Sequence, residues 1–369
     1  MTPRKYWLAV SSLLLATGLL YSAFLLPYVR TYHISGDDFA PILDSARQYH
    51  PHPALWVTRG FSNYFVNYPD LPQHGTSFCR PVFNATVWLE SLLSPGTGPL
   101  NLTTNFLGIA ITLILFMFFM RRETNGRFIF LSSMLIVYAF SAMWYEALLL
   151  STFRTSLLMV LFALAAFLLL PPEGAHHQGL RIALSILCQL ASLFSHETGV
   201  VTPVIAALLF ALRRDGRVVR GRLKVLPVFL LPLVCFVTVR LVFYGGVDHA
   251  YALEHENGWV WKGITGASEL LAKAFFPWGT AAVTSGAWRP LMGVGVLMNL
   301  VGYALVACAY LRPGNAGRGA LLRVLSCLGI ALGVLWIAPS TRLMLLAAVF
   351  GAMAAVVAAE QISRATDRQ

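Results

Sequence analysis

Residues 105–120 read NFLGIAITLILFMFFM, a run that has no charged side chain and ends directly before Arg121 and Arg122. A bilayer core about 30 Å thick needs roughly 20 apolar residues per helix. Backbone N–H and C=O groups find no water there, so such a run must pair them within a helix. The period-two alternation of a transmembrane β-barrel is absent. We therefore predict an all-α integral membrane fold.

Similar runs recur along the chain of 369 residues, which is 57% hydrophobic and only 12% charged. A soluble domain carries about 25% charged residues. Residues 7–28 are too long for a secretory signal core and lack a suitable cleavage motif, so we interpret them as a retained first helix. The other nearly uncharged runs cover residues 105–120, 225–243, 292–311 and 343–359.

These runs and their shorter neighbours predict about ten membrane-crossing helices in a single transmembrane domain over residues 1–369. Two long outer segments, residues 29–102 and 244–291, are predicted to be periplasmic or lumenal loop regions. Amphipathic aromatic pieces of the first, such as residues 54–66, predict helices along the membrane interface. After the first helix, the predicted spans are 103–120, 128–143, 155–171, 180–195, 198–212, 225–243, 292–311, 322–338 and 343–360.

The charged residues that give the net charge of +11 are unequally distributed between the two sides of the predicted membrane. Lys and Arg concentrate in the inner segments and most acidic residues lie outside, as the positive-inside rule requires. The largest basic cluster, between residues 213 and 224, is expected to contact anionic membrane lipid. This distribution argues against nucleic acid as a partner. The arginine- and alanine-rich composition favours a bacterial inner membrane, whose outer side faces the periplasm.

An acidic pair, Asp37-Asp38, follows the first predicted helix on the outer side. Adjacent carboxylates repel each other, so a proton or a cation is needed to neutralise the pair. Such a pair suits proton abstraction, or the binding of a divalent cation such as Mg, Mn or Ca. The alternative is a solvated loop in which one aspartate caps a short helix over residues 39–48.

Further polar stretches at the outer ends of predicted helices contain Arg80, Glu146, Arg154, His196, Glu197 and Arg342. Ionisable groups near the ends of membrane-spanning helices cost free energy to bury and tend to be functional. The planar guanidinium of an arginine matches the geometry of a phosphate. The alternatives are interfacial anchoring of the arginines and a structural ion pair between Glu146 and Arg154. The pair His196-Glu197 interrupts an apolar stretch over residues 182–212, which packing does not explain. It is not a zinc HExxH motif, because no second histidine follows at the required spacing.

In their order along the chain, these stretches resemble the GT-C superfamily of membrane glycosyltransferases. The likeness is to the O-mannosyltransferase and lipid A aminoarabinose-transferase type. The acidic pair that this type places after its first helix is matched by Asp37-Asp38. A Tyr-Arg-Pro-Leu-like stretch of the tetratricopeptide-bearing mannosyltransferases is matched by Cys79-Arg80-Pro81-Val82.

The remaining matches follow in the same order. An Asn-rich helix start corresponds to residues 101–105, and a glutamate with a following arginine corresponds to Glu146 and Arg154. A Ser-Lys-Glu-Thr-like element corresponds to Ser195-His196-Glu197-Thr198, and a late arginine-containing turn corresponds to Arg342. The resemblance covers residues 7 to about 212 well and residues 225–360 loosely.

Three departures from the family pattern matter. His196 stands where the family has a lysine, so a phosphate-binding charge at this position would depend on pH. The histidine that is common near Asn101 and Asn105 is missing. No tetratricopeptide domain follows the last predicted helix, so a glycan, a lipid and a protein all stay open as the acceptor.

The resemblance implies an enzyme that moves a sugar from a polyprenyl-phosphate donor to an acceptor hydroxyl at the outer membrane face, with inversion. Asp37 would be the general base, and Asp38 would assist it by hydrogen bonding or metal coordination. Glu146 and Glu197 would orient the sugar, the acceptor or the cations. The donor phosphate would be bound by Arg80, Arg154, His196 and Arg342.

Two alternatives stay open. An O-antigen polymerase or ligase also places arginines on the outer side, although an early acidic pair fits it less well. A non-catalytic transporter or flippase of lipid-linked sugars would carry ionisable residues at mid-membrane depth and inverted repeats. Neither feature is found in this sequence.

Overall fold

The computed structural model describes residues 46–48, 50–57, 80–93, 99–124, 154–172, 176–244, 289–311, 315–333 and 345–366. These residues are mostly helical (88%) and contain no β-strand. The predicted all-α character is therefore confirmed for this part of the chain. The predicted spans 7–28 and 128–143 lie outside it.

The helices follow the apolar runs of the sequence closely. The predicted span 103–120 lies within a longer helix that begins at Pro99 and ends at Glu123. The span predicted at 322–338 was placed too late, because its helix already begins at Asn315. In chain order the longer helices of the described residues are α1 Pro81–Leu93, α2 Pro99–Glu123, α3 Arg154–Leu169, α4 Gln178–Leu193, α5 Val201–Ala211, α6 Leu231–Tyr244, α7 Arg289–Leu311, α8 Asn315–Gly333 and α9 Leu345–Thr366. A single helical turn, Arg220–Leu223, lies between α5 and α6.

Two of these helices contain segments long and apolar enough to cross a membrane, Thr104–Glu123 in α2 and Leu345–Ser363 in α9. Length and composition are the basis of this assignment. The apolar parts of α3 to α7 are shorter. The membrane prediction is thus supported by two helices within the described part of the chain.

Helices α3 and α4 form an antiparallel pair that is joined by side-chain hydroxyls. Ser185 Oγ donates to the carbonyl of Ala166 at 2.9 Å, and Ser192 Oγ donates to the carbonyl of Met159 at 3.0 Å. Such bonds let small polar side chains hold apolar helices together. If this antiparallel pairing is extended past the end of α4, Glu197 lies at the same height along the bundle as Arg154, the first residue of α3. We call this end of the bundle the Glu197 end.

Helix α9 packs against α3, α7 and α8 in the centre of the bundle. Its small side chains, such as Ala347 and Ala354, are buried and allow neighbouring helices to approach closely. Three aromatic rings fix α2, α3 and α9 together. Phe350 lies 6.1 Å from Phe119 and 5.9 Å from Phe167, measured between ring centroids.

Arginines bind backbone carbonyls at the opposite end of the bundle. Arg122 Nη1 donates to the carbonyls of Phe167 and Leu168 at the end of α3. Cations near a helix C-terminus satisfy free carbonyls and complement the helix dipole. Arg323 of α8 forms a buried ion pair with Glu123 of α2 at 2.6 Å. These basic residues therefore stabilise helix ends in addition to any role in orientation.

Candidate functional site

A largely buried ion pair joins two predicted site residues that lie 117 positions apart in the sequence, Arg80 and Glu197. Arg80 directly precedes α1, whose first residue is Pro81, and Glu197 opens a 3₁₀ turn, Glu197–Val200. Arg80 Nη2 donates to Glu197 Oε2 at 2.8 Å, and its Nε lies 3.2 Å and 3.1 Å from the two carboxylate oxygens. The side chains are only 6% and 10% exposed. This forked geometry orients the guanidinium firmly.

The chain break after α4 positions His196 beside this ion pair. His196 has an extended backbone conformation and caps the 3₁₀ turn, where its Nδ1 accepts a hydrogen bond from the Thr198 backbone N–H at 3.2 Å. The turn needs glycine at position 199, since a Cβ atom there would lie 2.7 Å from the Ser192 carbonyl oxygen. The polar residues that interrupt the apolar stretch in the sequence therefore form an ordered, capped turn in the structure.

The hydrogen bond that His196 Nδ1 accepts determines whether the other ring nitrogen, Nε2, is a donor or an acceptor. A neutral imidazole that accepts at Nδ1 carries its proton on Nε2. His196 Nε2 lies 3.5 Å from Arg80 Nη2. Both atoms are then donors, so they cannot bond to each other, but both can bond to one acceptor oxygen. Since Arg80 and His196 are buried, the arrangement suits an anionic oxygen such as that of a phosphate.

A second buried cluster surrounds Arg154, the first residue of α3. Its Nη1 donates to Glu90 Oε2 at 2.6 Å, and its Nε donates to Asn105 Oδ1 at 2.8 Å. Arg154 is 2% exposed and Glu90 is 4% exposed. The cluster joins α1, α2 and α3. Among the described residues, the acid that bonds to Arg154 is Glu90. The sequence reasoning missed it, although an acid inside the apolar run 82–93 was a visible signal.

Helix α1 runs across the ends of α3 and α4. Near its start, the Val82 N–H donates to the carbonyl of Phe194 at 3.3 Å, just beyond α4. Near its other end, Glu90 bonds to the first residue of α3. Since α3 and α4 are antiparallel, both attachments lie at the Glu197 end. Helix α1 belongs to the predicted first outer segment, whose interfacial orientation stays a prediction.

The segment before Arg80 is anchored on the same helix. Trp56 Nε1 donates to the carbonyl of Asn84 at 2.9 Å, and Asn84 Nδ2 donates to the carbonyl of Val57 at 3.0 Å. His50 Nε2 lies 2.8 Å from Ser91 Oγ. Residues 50–57 are therefore held at the Glu197 end together with α1.

Four predicted site residues, Asp37, Asp38, Glu146 and Arg342, lie outside the described residues. The structure brings together Arg80, His196 and Glu197. It attaches Arg154 at the other end of α1, about 15 Å further along that helix by its rise per residue. Within the described ranges, no group of three or more His, Cys, Asp or Glu side chains could hold a metal ion.

Replacing Arg154 with glutamine is expected to destabilise the protein by about 3–5 kcal/mol, because the Glu90 carboxylate loses its buried counter-charge. Thermal unfolding in detergent measures this change. The double variant R154Q/E90Q removes both charges and should regain much of the lost stability. The exposed pair Arg217–Asp215, whose arginine side chain is 79% exposed, provides the control. R217Q should cost less than about 1 kcal/mol. A double variant as unstable as R154Q would contradict this account of the pair.

Comparisons with known proteins supply no identity for the chain. No protein-family model matches the sequence, and neither a curated protein nor a solved structure matches it.

Proposed function

We propose that this chain is a GT-C-type membrane glycosyltransferase with about ten membrane-crossing helices, which transfers a sugar from a polyprenyl-phosphate donor to an acceptor hydroxyl. The observation that carries the proposal is the convergence of two buried donors, Arg80 Nη2 and His196 Nε2, 3.5 Å apart at one end of the bundle. A crosswise helix covers the same end. The apolar segments of α2 and α9 support a membrane location.

The lipid donor explains why a buried anion site would lie at the end of a helical bundle. The polyprenyl tail stays among the bilayer chains, while the phosphate and sugar reach the polar boundary where they meet the acceptor. Guanidinium groups suit phosphate because their planar fork presents several N–H donors. In our proposal the Glu197 end faces the periplasm of a bacterial inner membrane. The acceptor is a glycan, a lipid or a protein.

The proposed reaction is a single displacement at the anomeric carbon. Asp37 removes the proton of the acceptor hydroxyl, whose oxygen forms the new bond to the anomeric carbon. The bond from that carbon to the phosphate oxygen breaks, and polyprenyl phosphate leaves with the electron pair. The configuration inverts because attack and departure occur on opposite faces. Asp38 assists Asp37 by hydrogen bonding or by coordinating a divalent cation such as Mg, Mn or Ca.

The cations act on the charge that develops on the leaving phosphate. Preorganised donors at such a position typically contribute the largest electrostatic part of catalysis. Arg80 and His196 bind one phosphate oxygen in this scheme, and Arg342 is the next candidate. Arg154 would have to exchange its bond to Glu90 or Asn105 for one to phosphate.

The two glutamates have orienting roles in the proposal. Glu197 holds the Arg80 fork through the bonds described above, so it fixes the direction of the remaining guanidinium donors. Glu146 is proposed to orient sugar hydroxyls or a neighbouring cation.

Purified protein in liposomes, incubated with a panel of radiolabelled polyprenyl-phosphate sugars and a membrane extract, tests the proposal. We expect label from at least one donor in a product, with inverted configuration at the anomeric carbon. Movement of intact donor across the bilayer without product would instead identify a flippase. Transfer of a whole glycan from a diphosphate carrier would identify a polymerase or ligase. Activity that survives a chelator would remove the divalent cation from the scheme.

A further inference from the structure

The basic cluster at residues 213–224 begins with an ordered hairpin, which lies at the end of the bundle opposite the Glu197 end. The Gly216 N–H donates to the carbonyl of Arg213 at 2.9 Å and closes the turn. Gly216 has a positive φ of 81°, which a glycine adopts without strain. It also lies directly against Gly319 of α8, where a Cβ atom on either glycine would overlap the facing backbone. The hairpin is therefore packed closely on α8.

Three of the six basic residues in this cluster interact within the chain. Arg222, in the single helical turn between α5 and α6, donates from Nη1 to the carbonyl of Phe210 at 3.0 Å. Arg217 Nε lies 3.5 Å from Asp215 Oδ2. Arg213 also has an interaction within the molecule. These three arginines therefore help to hold the hairpin and the following turn in place.

The other three basic residues, Arg214, Arg220 and Lys224, are exposed and form no hydrogen bond or ion pair with a described residue. Lys224 still has helical backbone angles, so its side chain is a neighbour of Arg220, four positions before it. Arg222, two positions from each, faces the other side of the turn. Two like charges at this spacing repel each other. An anion bound between Arg220 and Lys224 would relieve that repulsion.

Positive charge exceeds negative charge at this end of the bundle. Residues 213–224 contain six basic side chains and one acid, Asp215. The two further described acids at this end, Glu123 and Glu360, are buried, and Glu123 is paired with Arg323. Three arginines and two acids lie in the sequence segments next to the helix ends gathered here, 125–127, 173–175, 312–314 and 367–369. Those segments add no net negative charge, so the excess of cations in the cluster remains.

Exposed apolar side chains accompany the unpaired cations. Leu223 lies between Arg220 and Lys224 in the sequence and is 43% exposed. Further exposed apolar side chains follow toward and along α6, at Leu230 and Val234. Cations beside apolar side chains are typical of a segment at a membrane surface, where the cations meet headgroup phosphates and the apolar groups enter the acyl region. A soluble polyanion would leave these apolar side chains in water.

We propose that Arg220, Leu223 and Lys224 form a binding surface for anionic phospholipid, with Arg214 as a flanking cation. The occupant is the phosphate-bearing headgroup of a lipid in the membrane leaflet at this end, which is the cytoplasmic leaflet in the predicted topology. Composition alone predicts lipid contact for all of residues 213–224. The structure assigns that contact to the cations without a described partner and excludes the arginines that are bonded within the chain. This inference does not depend on the proposed sugar transfer.

Native mass spectrometry of the purified full chain, mixed with phosphatidylglycerol and phosphatidylcholine of identical acyl chains, tests the proposal. We expect the parent protein to retain phosphatidylglycerol in preference. R220Q and K224Q should each lower this preference about fivefold, and R220Q/K224Q should lower it more than about tenfold, as expected from the attraction of each cation to an anionic leaflet. R220K should keep most of the preference, because lysine retains the charge.

R318Q is the matched control. It removes one positive charge at the same end, but Arg318 Nε already donates to the carbonyl of Tyr310 at 3.0 Å. The preference of R318Q for phosphatidylglycerol should therefore stay close to that of the parent protein. If R318Q lowered the preference as much as R220Q, the general charge of this end would attract the lipid, and the assignment to Arg220 and Lys224 would be overturned.

Three other results would also contradict the proposal. One is a parent protein that retains both lipids equally. Another is retention of a short single-stranded RNA in place of phosphatidylglycerol, which would identify a soluble polyanion as the partner. If R220Q/K224Q does not fold, the single variants decide, and a parental preference in both R220Q and K224Q would overturn the inference. The proposed donor-phosphate ligands Arg80 and His196 lie at the Glu197 end, so each of these results leaves the proposed function unaffected.

Discussion

Replacing Arg80 with glutamine is expected to lower the rate of sugar transfer about a thousandfold. Removing one preorganised donor from a site of developing negative charge costs about 10²–10³ in kcat, and Arg80 supplies a full charge in addition to its N–H groups. The substitution also leaves Glu197 buried without its described cation, which destabilises the fold. The measurement is the initial rate with the donor that the panel identifies, together with the unfolding temperature in detergent.

The double variant R80Q/E197Q separates the two effects. It removes both charges of the buried pair, so we expect it to unfold closer to the parent protein than R80Q does. Transfer should stay low, because no guanidinium remains at position 80. A double variant that transfers sugar at the parental rate would show that Arg80 is needed only to neutralise Glu197.

Replacing Asp37 with asparagine is expected to lower the transfer rate about 10²–10⁴-fold, the usual contribution of a general base. Asparagine keeps the size of the side chain but cannot accept the proton of the acceptor hydroxyl. Binding of farnesyl phosphate should change little, because the proposed phosphate ligands are untouched. The rate with saturating donor, compared with the affinity for farnesyl phosphate, measures the two effects separately.

The neighbouring carboxylate provides the matched control. D38N makes the same chemical change one residue away and, as the assisting residue, should lose less activity than D37N. A D37N variant with a normal transfer rate would rule out Asp37 as the base. If D38N were the inactive variant and D37N were active, the two roles would be exchanged.

Local patterns in the sequence predicted most of the described helices. Uncharged runs such as residues 105–120 must be helical wherever water is absent, so their secondary structure does not depend on the rest of the chain. The start of α8 was misplaced because Arg318 and Arg323 made its first turns look like part of a basic loop. Arg323 is in fact buried against Glu123. A long-range partner had changed the environment of a charged residue, and local composition does not contain that information.

The site was predicted in part, and for similar reasons. The pair His196-Glu197 was visible because it interrupts an apolar stretch, and the structure makes that interruption a turn. The contact of Glu197 with Arg80 spans 117 positions and was expected only through the resemblance to a family. Glu90, 64 positions from Arg154, was missed because only the nearer acid in the sequence, Glu146, was considered as a possible partner. Such pairings depend on how α1 crosses α3 and α4, which no local pattern specifies.

The measurement that tests the central claim most directly is an experimental structure of the protein with a non-transferable polyprenyl-phosphate sugar. We predict that a phosphate oxygen lies within about 3.5 Å of both Arg80 Nη2 and His196 Nε2, at the Glu197 end of the bundle. The anomeric carbon should face the carboxylate of Asp37. A donor phosphate bound elsewhere, with neither Arg80 nor His196 in contact with it, would contradict the account.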